Sequence, residues 1–262
     1  MKFSKLEIIV RSTITVIFLL LFVFSWQLLV DFEFLTGTKA ASPIQLIPVI
    51  TGECEVLWDN LVVSLFRLLI GVFIGFLFGI IVGVITIRFE LVNYTLGQLI
   101  RLLAPVPVIA WIPFAIMIFD SHEVEIISLV TLATFFIVYV VSVESIRTIE
   151  KSYVELSYMY SKSWYSRLFN IFIPASLSNL LTITRVSLII AWIVLFIVEF
   201  GQTSTSASGL GFYIKTNWNM GKTEHFFAGV IFLSIAAFFI DLIVDLVARY
   251  LTRWKSRYSS HG

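Results

Sequence analysis

The chain has 262 residues, 59% of them hydrophobic and 13% charged, with a mean hydropathy of +0.98. Soluble domains are nearer half apolar and a quarter charged, so this composition excludes a water-soluble globule, a disordered chain and a nucleic-acid binder. Lys and Arg number 18 against 17 Asp and Glu, a net charge of +1, which leaves no global field to attract DNA or an acidic partner. The single cysteine, Cys54, cannot form an intrachain disulfide, and three scattered histidines give no metal-ligand cluster. Metal and redox chemistry are not expected.

A membrane helix needs roughly 20 apolar residues to cross a core of about 30 Å. Six stretches qualify. The first, Ser12 to Val30, follows Lys2, Lys5 and Arg11. It reads as a retained anchor rather than a signal peptide, because its apolar run is long and no small-x-small cleavage site follows closely. The second, Leu61 to Ile87, carries Gly71, Gly75, Gly79 and Gly83, a four-residue repeat that puts every glycine on one helix face. That face admits a close neighbouring helix, either inside the bundle or at a dimer seam or moving interface.

The third stretch, Leu99 to Phe119, contains Pro105, Pro107 and Pro113. Each proline removes a backbone donor and clashes with the preceding turn, so this span must bend or open, as a static kink or as a pathway-lining element. The fourth runs from Ile126 to Val143. The fifth, Leu177 to Phe200, places Arg185 within the membrane, where a charge is costly unless paired or hydrated. It could serve the conduction path or pair with a carboxylate of a neighbouring helix. In the sixth, Phe226 to Ala248, Asp241, Asp245 and Arg249 recur every four residues, the spacing of an ion-pair ladder at the membrane edge.

With both termini in the cytoplasm, Lys2, Lys5, Arg11, Arg88, Arg101, Arg147, Lys151, Lys162, Arg167, Arg249, Arg253, Lys255 and Arg257 lie inside. Only Lys39, Lys215 and Lys222 lie outside. Asp31 to Asp59 and Gly201 to Glu224 then face outward, and Thr148 to Ile173 faces the cytoplasm. The organisation expected is an anchor and external segment over 1–60, a membrane core over 61–254 with a cytoplasmic segment at 148–173, and a tail at 255–262. Gly221-Lys222-Thr223 imitates the end of a phosphate-binding loop, but the required glycine is Thr216.

The segment from Glu155 to Pro174 reads as two short amphipathic helices joined by a serine-containing turn, with Pro174 suited to the first turn of the next span. Tyr158, Met159 and Trp164 would offer an apolar surface to a soluble partner. The segment resembles the EAA loop of bacterial ABC importer permeases, whose pattern is Glu-Ala-Ala, three residues, Gly, nine residues, then Ile-x-Leu-Pro. Glu155, Ile171 and Pro174 fall in place, with Ile173 for leucine. Leu156 and Ser157 replace the alanines and Ser161 the glycine.

Pro105-Val-Pro107, Ala110-Trp111-Ile-Pro113, the stretch Arg185 to Trp192, Glu199 and Ser208-Gly-Leu-Gly211 are similar to the nitrate, sulfonate, taurine and thiamine-precursor branch of these permeases. The resemblance implies an all-α integral membrane protein, the six-helix type I ABC importer permease fold, in a bacterial cytoplasmic membrane. It implies a second permease copy, two cytoplasmic ATPase subunits that bind ATP and Mg, and an external substrate-binding protein. Glu155, Leu156, Ser157, Ser161, Ile171 and Pro174 would then couple to the ATPase. Pro105, Pro107, Trp111, Pro113, Arg185, Trp192 and Glu199 would be pathway candidates. No cofactor is expected on this chain itself. A secondary transporter or channel is the alternative class, but acidic residues near span centres and a second broken helix are missing. A membrane enzyme has no supporting H-E-x-x-H or G-x-S-x-G motif.

Overall fold

A computed structural model describes residues 5–32, 40–149, 151–160, 163–203 and 207–251. In chain order it contains α1 (Lys5–Asp31), α2 (Pro43–Gly52), α3 (Cys54–Arg88), α4 (Glu90–Val92), α5 (Gln98–Leu103), α6 (Ile112–Ile118), α7 (His122–Arg147) and α8 (Lys151–Tyr160). Then follow α9 (Trp164–Arg167), α10 (Ile173–Gly201), α11 (Leu210–Asn219) and α12 (Thr223–Leu251). Two wide π-helical turns, Asn93–Gly97 and Leu168–Phe172, join α4 to α5 and α9 to α10. Among the described residues there is no strand.

Among the described residues five helices, α1, α3, α7, α10 and α12, are long and apolar enough to cross a membrane. The broken pair Glu90–Leu103 and Val108–Ile118, bent by 101°, becomes a sixth if counted as one span. The helix that carries the expected second span starts earlier than Leu61: α3 begins at Cys54. Its 35 residues reach about 52 Å, well beyond a hydrocarbon core of about 30 Å, so a straight α3 is longer than a crossing needs. The third span is corrected too, since its helix already begins at Glu90.

The prolines explain the break. Pro105 and Pro107 lack the N–H that would continue α5, and Pro107 is extended, at φ −55° and ψ 130°. A 3-10 turn, Val108–Trp111, then leads into α6, where Pro113 sits in the first turn and no donor is needed.

Helix α7 is the centre of the bundle. Leu129, Val130 and Ala133 pack with Leu68 and Val72 of α3 and Ala191 and Leu195 of α10. In lipid, helices gain little hydrophobic energy by associating, so close packing must hold them. The glycine face of α3 supplies it. A Cβ at Gly71 would stand 2.6 Å from Val130, at Gly75 2.5 Å from the Thr131 carbonyl, at Gly79 2.8 Å from Val138 and at Gly83 3.0 Å from Ser142. The stripe is therefore an intra-chain seam.

Residue numbers rise together along that seam, so α3 and α7 run parallel. Helix α10 runs back, with Ser176 near the Ser145 carbonyl at 3.5 Å and Gln202 near Glu125 at 3.4 Å. Helix α1 is peripheral; it touches the bundle where Trp26 meets Phe227 and Gln27 accepts the Ile44 N–H.

Candidate functional site

The connection between α7 and α10 forms one candidate surface. Glu155 lies exposed on α8. Ser157 is fully buried and donates to the Val154 carbonyl at 2.6 Å, so the second alanine-like position does pack closely. Tyr158 and Met159 project outward, Met159 with 85% of its surface exposed. The Arg167 guanidinium lies over the Tyr158 ring at 4.1 Å, fixing α8 to α9. Trp164 is half-buried with Arg88 over its ring at 5.5 Å, so it braces the segment on the end of α3 instead of offering a free apolar face. Ser161 and the Leu156 side chain lie outside the described residues.

The second amphipathic helix is not separate from the membrane helix. Residues Trp164 to Gly201 are continuously helical through the π turn Leu168–Phe172. Pro174 has no N–H and would clash with the carbonyl four residues back, and the widened turn directly before it is where the helix absorbs that defect. Ile171 is half-buried in that turn and Pro174 is exposed. α8 is held to α9 by the Arg167–Tyr158 contact, and α9 runs into α10 without a break in the helix.

The span break holds the pathway candidates. Pro105, Pro107 and Pro113 are exposed along it. Trp111 is half-buried, and its indole N–H is buried without an acceptor among the described residues. Trp192 lies in the core of α10.

Arg185 finds carboxylates across a helix boundary: Nε reaches Asp241 Oδ1 at 2.6 Å, Nη2 reaches Oδ2 at 2.5 Å, and Nη1 reaches Asp245 at 3.4 Å. Two members of the ladder expected within α12, Asp241 and Asp245, thus also face Arg185. An arginine within a span needs such counter-ions. The Arg249 side chain lies outside the described residues. Arg185→Gln and Asp241→Asn should each lower the thermal midpoint of the detergent-purified protein, and the double variant should lose less than their sum. Strict additivity would dissolve the pair.

A polar knot lies at the opposite end, and sequence reading did not find it. Arg67 of α3, 2% exposed, donates Nη1 to Glu199 at 2.7 Å and to the Ser208 carbonyl at 2.6 Å. Its Nε donates to Glu123 at 2.8 Å and its Nη2 to the other oxygen of that carboxylate. Glu199, 1% exposed, also accepts from Ser64 Oγ at 2.8 Å and the Gly211 N–H at 3.0 Å. Ser64 in turn accepts the Leu210 N–H at 2.9 Å, and Asn60 accepts that of Gly209 at 2.9 Å.

The Ser208–Gly211 loop is thereby clasped to α3 and α10. Gly209 has φ +111°, and a Cβ there would run into the Glu199 carboxylate. Glu199 therefore sits in a buried clasp.

Nearby, Tyr213 donates to Glu53 at 2.6 Å, and His225 stands 3.1 Å from the same carboxylate. Burial, helped by the Glu53 charge, pushes the Tyr213 phenol above its ordinary range, so it stays a donor at neutral pH.

Residues 75–257 match a family described as binding-protein-dependent transport system inner membrane component. The chain belongs to that family. A Bacillus subtilis (strain 168) protein named as an aliphatic sulfonates transport permease, SsuC, is 27% identical over 238 residues, covering 89% of this chain and 84% of that protein. The taurine transport system permease protein TauC of Escherichia coli (strain K12) is 28% identical over 198 residues, 76% of this chain and 71% of its own. A solved structure of the inward-facing MetNI methionine ABC transporter has the same fold, with a TM-score of 0.65 at 16% identity, covering 77% of this chain and 98% of that one.

The chain is thus an ABC importer permease of the nitrate, sulfonate and taurine branch. In this permease the matched region takes in the α3–α7 seam from Gly75 onward, the span break, α8 and the clasped loop. Arg67 precedes it. The signal that could have found Arg67 is its type: an arginine inside an apolar run implies a buried carboxylate.

Proposed function

We propose that this permease subunit forms, with a second copy of itself, the translocation path of an ATP-driven importer for a small sulfonate of the taurine type. ATP energy would enter through Glu155 and the 148–173 segment. The observation that carries the coupling reading is α8: a short helix with exposed Glu155, Tyr158 and Met159, fixed to α9 and continuous from there into α10. A groove on a cytoplasmic ATPase that receives this helix would move α10 when it moves. ATP and Mg would bind on that partner, and an external binding protein would deliver solute to the opposite face.

Six crossings with both termini in the cytoplasm fit the packing. The parallel run of α3 and α7 supports reading the broken pair between Arg88 and His122 as a return crossing. Basic residues then concentrate on the α8 side, as cytoplasmic loops require. The sulfonate reading rests on the SsuC and TauC relatives.

The test is reconstitution in liposomes with the cognate ATPase and binding protein, followed by ATP-dependent uptake of taurine, an alkanesulfonate, nitrate and a thiamine pyrimidine. Taurine or the alkanesulfonate should accumulate. Glu155→Lys should lower uptake per ATP by about tenfold or more, a typical coupling free energy, while leaving membrane insertion unchanged. Undiminished uptake with normal ATPase binding would remove the coupling assignment.

A further inference from the structure

At the end of the bundle that carries α8, two arginines converge on one uncharged group. Asn93 Oδ1 accepts from Arg101 Nη1 at 3.2 Å and Nη2 at 3.3 Å, and from Arg147 Nη2 at 2.9 Å. The Asn93 carbonyl accepts from Arg101 Nη2 at 3.3 Å. Among the described residues neither guanidinium has a carboxylate within 4.0 Å. One amide oxygen orients two like charges and neutralises neither, and most of their donors remain unspent.

The arrangement is built rather than incidental. Asn93 opens the π turn Asn93–Gly97, a local geometry that recurs at functional sites. Gly97 is buried there, where a Cβ would stand 2.9 Å from Thr86, 3.1 Å from the Tyr139 hydroxyl and 3.3 Å from Asn93 Oδ1, so close packing fixes the amide. Arg101 stands about 12 Å further along the helix and folds back toward the helix end, as arginines do when they reach for a membrane interface. Tyr94, Leu99 and Leu102 around it are exposed, the apolar flank that a membrane protein turns to lipid.

We propose that Arg101 and Arg147, oriented by Asn93, bind the phosphate of an anionic phospholipid head group in the leaflet on the α8 side. Paired guanidinium forks match a phosphate's oxygens, the apolar flank receives acyl chains, and the diester supplies the missing negative charge. Such a site requires only that the chain is a membrane protein; it is independent of the coupling and substrate readings.

The full-length chain in detergent, titrated with phosphatidylglycerol or phosphatidylcholine and read by native mass spectrometry, tests it. Wild type should retain phosphatidylglycerol roughly tenfold better, as expected for two interfacial arginines. Arg101→Gln with Arg147→Gln should erase that preference, and the double lysine variant should keep most of it. Should the double glutamine variant misfold, Arg147→Gln alone, at an exposed helix end, should still reduce the preference. Inorganic phosphate in excess should not displace the lipid.

Equal retention of the two lipids, or an unchanged preference in the glutamine variants, would overturn the proposal. So would displacement by free phosphate, which would make the site one for a soluble anion. Loss of ATPase assembly in those variants with lipid retention intact would make the cluster a protein contact instead.

Discussion

Replacing Arg67 with alanine is expected to cost about 3–5 kcal/mol of stability, the penalty of leaving a buried charge without its partner. Glu199 would keep only Ser64 and the Gly211 N–H, and the Ser208 carbonyl would lose its donor. Thermal unfolding of the purified protein measures the loss, and limited proteolysis near Ser208 reports release of the loop. Lysine at position 67 should rescue poorly, because a point charge cannot span Glu123, Glu199 and Ser208 as the guanidinium fork does. A double Arg67→Met, Glu199→Gln variant should lose less than the two single changes combined, since no buried lone charge remains and Glu123 is half-exposed to solvent. Melting of Arg67→Ala alongside the wild type would show that the clasp contributes nothing.

Valine at Gly75 is expected to be nearly as damaging, by about 3 kcal/mol or more, at the upper end for overpacking. Its Cβ would meet the Thr131 carbonyl at 2.5 Å and the Phe135 amide nitrogen at 3.0 Å. These are backbone atoms and cannot rotate away, so α3 and α7 must separate along the seam that holds the bundle together. A Cβ added at Gly52 would meet nothing within 4 Å, so Gly52→Ala is the matched control and should be close to neutral. Loss of monodisperse protein for Gly75→Val, with normal yield for Gly52→Ala, is the expected result in size-exclusion chromatography. Equal behaviour of the two would mean that the glycine seam is not tight.

Features that depend on local spacing were legible in the chain. A glycine every four residues must share a helix face, whatever that face meets. Prolines at 105 and 107 must break a helix wherever it lies. The apolar runs announce membrane helices because no other solvent suits them. The amphipathic character of α8 was legible, whereas Trp164 braces Arg88 and α9 runs straight into α10.

Pairings between distant residues were not legible. Arg67 and Glu199 meet across 132 positions, and nothing near either names the other. For Asp241 the four-residue spacing on its own helix offers only Asp245, a like charge, and its partner Arg185 lies 56 positions away.

By itself, then, the sequence determined an apolar helical chain with a glycine face, one broken span and an amphipathic segment outside the apolar runs. Those follow from residue type and helical period alone. Only the tertiary structure decided that the glycine face meets α7 in parallel register, that Glu199 is closed inside a clasp and that two arginines share Asn93. The reason is physical: periodicity places a side chain on its own helix, whereas the partner of a charge depends on which helices close packing brings beside it.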